Sequence, residues 1–179
     1  MDQHGQQDPN HRLGRGMIFL GWAAALGLLT FLFSQYLDHA RNPNQDIAYR
    51  VGEGGVREVD LDRNQQGHYV ADGSINGQQV EFFLDTGATQ VSVPGQVAKR
   101  LGLKPGLPYT VSTANGTVTV YGTRLQRLQL GAIELHDVRA DINPHMDGEE
   151  VLLGMSVLGR LEMVQRDGHL ILRQYAGQR

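Results

Sequence analysis

The stretch VEFFLDTGATQVSV, Val80 to Val93, runs an apolar segment into an acid and then into a small, turn-prone Asp-Thr-Gly-Ala-Thr. Its first half has the texture of a buried strand, and Asp85 stands at the end of it. A lone carboxylate there would cost several kcal/mol to keep ionised unless donors hold it or a neighbour shares its proton. Gly87 permits a sharp turn, Thr86 brings a hydroxyl, and the following amides bring donors, so the loop reads as a holder for the acid. A bare Asp-x-Gly is ordinarily no more than a turn. The triplet gains meaning from its surroundings.

Outward from this loop the chain alternates short β-branched and aromatic runs with Gly, Asn and Asp, which predicts an all-β domain. His68–Ile75 and Gln78–Leu84 flank Asn76-Gly77, the signal for a two-residue hairpin with a type I′ turn. Tyr109–Thr113 and Thr117–Thr123 flank Ala-Asn-Gly and suggest a second hairpin. Leu125, Leu128 and Leu130, then Ile133–Ile142 after Gly131, add two strands, and Val151–Leu153 a short buried one. His169–Leu172 follows a turn at Asp167-Gly168. Helical signals are confined to Gln96–Leu101, stopped by Gly102, and Ser156–Leu161, with Ser156 as N-cap. There is no internal repeat.

The N-terminal part differs in kind. Met17–Phe33 holds no charge and almost no polar group, and at 1.5 Å per residue it spans about 25 Å, within the range of a membrane-crossing helix. Trp22 and Tyr36 suit the two interfaces. Arg12 and Arg15 precede the span while Asp38 and Arg41 roughly cancel after it, so the positive-inside rule leaves the N-terminus in the cytoplasm. A cleaved signal peptide is the competing reading, opposed by the length of the run and by the absence of a small-x-small site in Leu37–Asn42. The resulting division is a cytoplasmic tail over 1–16, a transmembrane helix over 17–36, a polar linker over 37–64 rich in breakers, and a β domain over 65–179.

Composition closes other routes. A net charge of −3 with interspersed signs offers no basic stripe, so nucleic acid is not an expected partner. The chain has no cysteine, which removes disulfides, thiol nucleophiles and cysteine-ligated metals together. His136, Asp137, Asp141, His145 and Asp147 cluster in a polar stretch but at no recognised ligand spacing, so no metal and no cofactor is expected. No G-x-S-x-G occurs, and Ser156 reads as a helix cap rather than a nucleophile. Asp72 reads as a turn residue, and His68 and His169 have no partner visible in the sequence.

With these residues in hand, the region from about His68 to Leu172 resembles the retropepsin-like aspartic proteases in three places. "FFLDTGAT" is similar to the family's strand and catalytic loop, which implies Asp85 as the catalytic acid, supported by Thr86, Gly87, Ala88 and Thr89. "TANGTVTVYG" is similar to the flap hairpin that covers the substrate cleft, which implies Thr113, Ala114, Asn115, Gly116 and Thr117 as flap and substrate-binding residues, with Ala114-Asn115-Gly116 as the tip. "VLLGMSVLGRL" is similar to the segment threaded beside the catalytic loop, with Leu152, Leu153 and Gly154 at the crossing. The resemblance implies a retropepsin-like fold, a single-lobe, closed, barrel-like β domain with a flap, preceded here by one transmembrane helix. The flap lacks a Gly-Gly tip and the flap tyrosine of the pepsin-like proteins unless Tyr121 approaches the cleft from its strand, and Met155 follows Gly154 where many viral members carry Arg or Asp.

One Asp-Thr-Gly per chain is half of what this chemistry needs, so a homodimer is expected, with Asp85 of each subunit sharing a proton. The expected function is that of a bacterial endopeptidase anchored in the inner membrane, its β domain outside the cytoplasm and its substrates proteins or peptides. A non-catalytic, protease-like module that binds a peptide or an envelope partner is the alternative, and the intact Asp-Thr-Gly-Ala argues against it.

Overall fold

The computed structural model describes residues 9–113 and 116–177 of the chain. The chain divides into two compact units, Met1–Asp38 and His39–Arg179.

The first unit is helical. Helix α1, Pro9–Arg41, crosses the division, and its part from Gly16 to Arg41 is 26 residues with a mean hydropathy of 2.0, long and apolar enough to cross a membrane by length and composition. Met17, Phe19, Trp22, Leu28 and Phe31 are all exposed, so the apolar surface goes round the whole helix rather than along one stripe.

The second unit is built from strands. They are β1 (Ala48–Val51), β2 (Arg57–Asp62), β3 (Val70–Ile75), β4 (Gln78–Leu84), β5 (Val91–Pro94), β6 (Pro108–Thr113), β7 (Gly116–Leu130), β8 (Ile133–Asn143), β9 (Glu150–Leu153), β10 (Glu162–Arg166) and β11 (His169–Gln174). Two short helices, α2 (Gly95–Arg100) and α3 (Met155–Leu158), lie between them. Seven strands form a sheet in the order β3-β4-β9-β5-β8-β7-β6, and β3 also pairs with β7 through Ser74 with Gln129 and Ile75 with Leu128. That second pairing closes a barrel and leaves β6 outside it, held only by β7.

Period-two patterning drives the closure. In β4, Val80, Phe82 and Leu84 point into the core while Gln79, Glu81 and Phe83 alternate outward. Phe82 is fully buried, and its removal from water stabilises the fold by about 1.5–3 kcal/mol. The β3–β4 turn matches the sequence signal, because Asn76 and Gly77 have φ of +52° and +83°, the type I′ combination. The same pair of signs recurs at Asp167 and Gly168.

A second, four-stranded antiparallel sheet runs β1-β2-β11-β10. It corrects the expectation of a linker over 37–64, since β1 and β2 come from that stretch. Val59 and Leu61 alternate with Glu58, Asp60 and Asp62, and the two apolar residues are fully buried in the common core. The charges that made the segment look like a tether sit on its outer face, where Glu58 accepts from Arg173 at 2.6 Å and Asp62 lies 3.0 Å from His169.

The same stretch hides a polar anchor. Asn42 and Asn44 are 2% and 4% exposed. The Asn44 amide donates to the carbonyls of Asp62 and Val70 at 2.9 and 2.7 Å, and its oxygen accepts from the Asp62 N–H at 2.7 Å. Asn42 donates to Asp72 and Glu81, and Arg41 pairs with Glu81 and Glu150. Asn44 thus takes the part of a ladder residue with its side chain, and the folded unit begins at His39, not at residue 65.

Three further expectations are revised. Thr117–Thr123 and Leu125–Leu130 are one 15-residue strand, β7, not two. β5 and β10, not expected from the sequence, are strands: β5 is only four residues long and is fixed by pairing with β8 and β9, and β10 is largely exposed and is fixed by pairing with β11. Asp72 lies inside β3 rather than in a turn, because Asn42 gives its carboxylate a donor at 2.7 Å.

Candidate active site

The Asp-Thr-Gly loop leaves the barrel where β4 and β9 run parallel. Leu84 is level with Leu153, and the Asp85 N–H donates to the Leu153 carbonyl at 3.2 Å, the last bond before the chain turns away. The Gly87 N–H then donates to Asp85 Oδ1 at 2.8 Å, and the Ala88 N–H donates to the Asp85 carbonyl at 3.2 Å. Asp85 and Ala88 are half-buried, and Thr86, Gly87 and Thr89 are exposed. The expected donors therefore resolve differently: the Gly87 amide holds the carboxylate, and the Thr86 hydroxyl has no hydrogen bond among the described residues. Gly87 is not in the left-handed region, so its value lies in proximity, since an added Cβ would come 3.1 Å from Asp85 Oδ1.

The segment Leu152-Leu153-Gly154 crosses beside this loop as the sequence suggests. Leu153 is fully buried and Leu152 half-buried. A Cβ on Gly154 would lie 2.3 Å from the Gln90 carbonyl oxygen and 2.6 Å from that of Ala88, so only glycine fits the crossing. Beyond it, the amides of Met155 and Ser156 donate to the carbonyls of Ala88 and Thr89 at 2.8 and 2.9 Å. Ser156 is not the N-cap of α3, which begins after Gly154 without a side-chain cap. Its hydroxyl instead accepts from the Val91 N–H at 3.2 Å and donates to the Arg139 carbonyl at 3.3 Å, which ties α3 to β5 and β8.

The hairpin of β6 and β7 carries the edge strand of the seven-stranded order, β6. Thr113 is paired with Gly116, and its hydroxyl donates to the Gly116 carbonyl at 2.8 Å. Gly116 has φ of +113°, and Thr117 is exposed opposite Ser112. Ala114 and Asn115, expected at the tip, lie outside the described residues. Tyr121 is opposite Pro108 at the base of the hairpin.

One cluster near the loop is not foreseen by motif reasoning. Gln90 donates through Nε2 to Tyr109 Oη at 3.2 Å, Tyr109 Oη donates to Asp141 Oδ2 at 3.4 Å, and Ser92 Oγ donates to Asp141 Oδ1 at 2.6 Å. Asp141 is only 6% exposed. Burial pushes its carboxyl above the ordinary range, partly offset by the Ser92 and Tyr109 hydroxyls. Burial also raises the Tyr109 phenol, and the negative charge of Asp141 raises it further. The sequence signal was present in β8, where Asp141 interrupts the apolar residues Ala140 and Ile142. The other members of that polar stretch go to separate partners or to solvent: His136 to Glu134 at 3.0 Å, Asp137 to Arg124, and His145 and Asp147 to the exposed surface. His68 packs on the Phe83 ring with centroids 4.9 Å apart, a partner the sequence did not disclose. A groove of about 830 Å³ runs beside the hairpin base, lined in part by Leu103, Leu107, Tyr109, Arg124 and Arg139, and does not include Asp85.

Comparison with known proteins agrees with this arrangement. Residues 71–160 match the model of the family described as "gag-polyprotein putative aspartyl protease". An uncharacterized protein from the cobV 5′ region of a Sinorhizobium species is 32% identical over 123 residues, 66% of this chain and 53% of that protein. A Rickettsia prowazekii protein, also uncharacterized, is 28% identical over 124 residues, 67% of this chain and 52% of that protein. The chain thus spans about half the length of these curated relatives. Among solved structures, a retropepsin-like aspartic protease from Rickettsia conorii superposes with a TM-score of 0.54 at 24% identity, over 72% of this chain and 95% of that one, which establishes the shared fold.

Proposed function

The chain belongs to the retropepsin-like aspartic proteases, and we propose that it is a membrane-anchored endopeptidase in which two copies of Asp85, one from each subunit of a homodimer, activate the attacking water. The observation that carries this reading is the state of the Asp85 carboxylate. One oxygen is held by the Gly87 N–H at 2.8 Å, the group is half-buried in a glycine-braced loop, and among the described residues no cation neutralises it. The Gly87 bond by itself is that of an Asx turn; the reading is supported by the loop's setting, an unneutralised acid in an Asp-Thr-Gly loop against the Leu153–Gly154 crossing.

Two such carboxylates facing each other across a two-fold axis repel one another when both are charged, so the pair shares one proton. The ionised member takes a proton from a water between them as that water attacks the peptide carbonyl, and the protonated member donates to the carbonyl oxygen. The tetrahedral species collapses when a carboxyl passes its proton to the leaving nitrogen. The β6–β7 hairpin covers the site and pairs with an extended peptide through main-chain hydrogen bonds, which favours unfolded segments as substrates.

The helix Gly16–Arg41 supports anchorage in a bacterial inner membrane, with Arg12 and Arg15 on the cytoplasmic side and the β unit outside. Confinement to a membrane raises the effective concentration of subunits and helps a weak dimer form. The test is full-length protein in detergent, incubated with an unfolded protein mixture from acidic to neutral pH beside its Asp85→Asn variant. Cleavage that is lost in the variant and blocked by a statine-type mimic is the expected result; equal cleavage by both proteins would sink the reading.

A further inference from the structure

We propose that a second copy of this chain docks on the open edge of β10, strand against strand, antiparallel and centred on Val164. The inference rests on the dimeric reading above, because one Asp85 is half of the proposed dyad. In the order β1-β2-β11-β10, both flanks of β11 are taken, and only β1 and β10 keep an open edge. An open edge presents unpaired N–H and C=O groups to any strand that fits.

The residues of β10, Glu162-Met163-Val164-Gln165-Arg166, are self-complementary in that direction. A two-fold axis at Val164 sets Glu162 opposite Arg166 of the partner subunit, Met163 opposite the partner's Gln165, and Val164 opposite itself. Opposed residues share a face, so two ion pairs form, one on either side of the axis. A slip of one residue puts Glu162 opposite glutamine and loses both pairs, which fixes the register. The groups are available for this. Glu162 uses Oε2 for Tyr175 at 2.6 Å and Arg173 at 3.5 Å, leaving Oε1 for a cation. The Arg166 side chain is 84% exposed and, among the described residues, engages only Asp167, through Nε.

β1 offers no such match. Ala48-Tyr49-Arg50-Val51 contains no acid, and Tyr49 lies against Gly131, where an added Cβ would come within 3.6 Å of it. Continued by two residues, the β3–β7 register sets Gly131 level with Asp72, which pairs with Glu81, four residues before Asp85. β10 instead follows α3 directly, and the first amides of α3 donate to Ala88 and Thr89 in the Asp-Thr-Gly loop. A two-fold axis at β10 is therefore tied to the Asp85 loop through α3.

The chain holds no cysteine, so a single introduced thiol reports on one contact. Full-length Val164→Cys in detergent should give a disulfide-linked dimer on mild oxidation, because opposed Cβ atoms about 4.5–5.5 Å apart need little movement to bond, while Tyr49→Cys stays monomeric. The proposal is overturned if Tyr49→Cys links and Val164→Cys does not, or if native mass spectrometry finds the wild type a monomer. A second pair of variants guards against misfolding. Glu162→Lys and Arg166→Glu should each weaken the dimer about tenfold or more, and an equal mixture should recover to within about threefold of wild type. No recovery on mixing counts against the interface. A Val164-linked dimer that cuts nothing at any pH defeats the peptidase reading and leaves the interface standing; an active enzyme whose dimer never links at Val164 does the reverse.

Discussion

Gly154 is packed against the carbonyl of Ala88 so closely that a single added carbon would sit 2.6 Å from that oxygen. The contact joins the segment after β9 to the loop that carries Asp85, and the Met155 and Ser156 amides depend on it to reach Ala88 and Thr89. The clash is with backbone, which cannot rotate aside. Gly154→Ala should therefore destabilise the fold by about 1–3 kcal/mol, lower the melting temperature by roughly 5–10 °C and displace the loop enough to abolish peptide cleavage. Thermal unfolding and a cleavage assay check this, and an alanine variant with wild-type melting would contradict the packing.

Tyr109 reaches across to Asp141 from the one strand of the large sheet that only β7 holds. Tyr109→Phe removes a donor from the Asp141 carboxylate and an acceptor from Gln90, at a cost of about 0.5–1.5 kcal/mol. The hairpin should loosen at its base while the barrel stays closed. Hydrogen exchange reads both at once: amides of β6 should exchange faster in the variant and those of β4 and β9 unchanged. Faster exchange throughout would mean a general loss of stability instead.

Much of the barrel was legible because its strands bury one face. Val80, Phe82 and Leu84 announce β4 by alternation, Asn76-Gly77 announces its turn, and the Asp-Thr-Gly string announces the loop. β1 and β2 were not legible for the opposite reason. Their buried residues are few, and the job of tying the segment down falls to Asn42 and Asn44, polar residues whose amides donate to the Glu81 carboxylate and to the Asp62 and Val70 carbonyls, between 18 and 39 positions away. The Ser92–Asp141–Tyr109 cluster escaped for a related reason, since its three residues meet only when β5, β6 and β8 are assembled.

The same asparagines set where a soluble fragment can begin. Asn44→Ala leaves the Asp62 N–H and the Val70 and Asp62 carbonyls without their partner in a buried position, which should cost about 2–4 kcal/mol. A fragment starting at His39 should unfold cooperatively in urea, and one starting at residue 65 should not fold. A well-folded fragment lacking β1 and β2 would show that the four-stranded sheet is dispensable.

Asp141 should make the domain less stable as the medium becomes less acidic. Its folded-state pKa lies above the ordinary value of 3.8, because burial disfavours the charged form. Between the unfolded and the folded values the native state binds the extra proton, so stability from this group falls as pH rises through that window. The cost is absent below about 3.8 and present in full above the raised value. Asp141→Asn keeps an oxygen for the Ser92 hydroxyl at the same place but removes the buried charge. The variant should melt a few degrees above wild type at pH 7, and the gap should close as the pH approaches 4. Asp72 and Glu81 are raised by burial too, so wild type alone cannot isolate the effect, and the difference between the two proteins is the quantity to follow. A gap that stays constant or widens on acidification would mean that the carboxylate contributes through its hydrogen bonds and not through its buried charge.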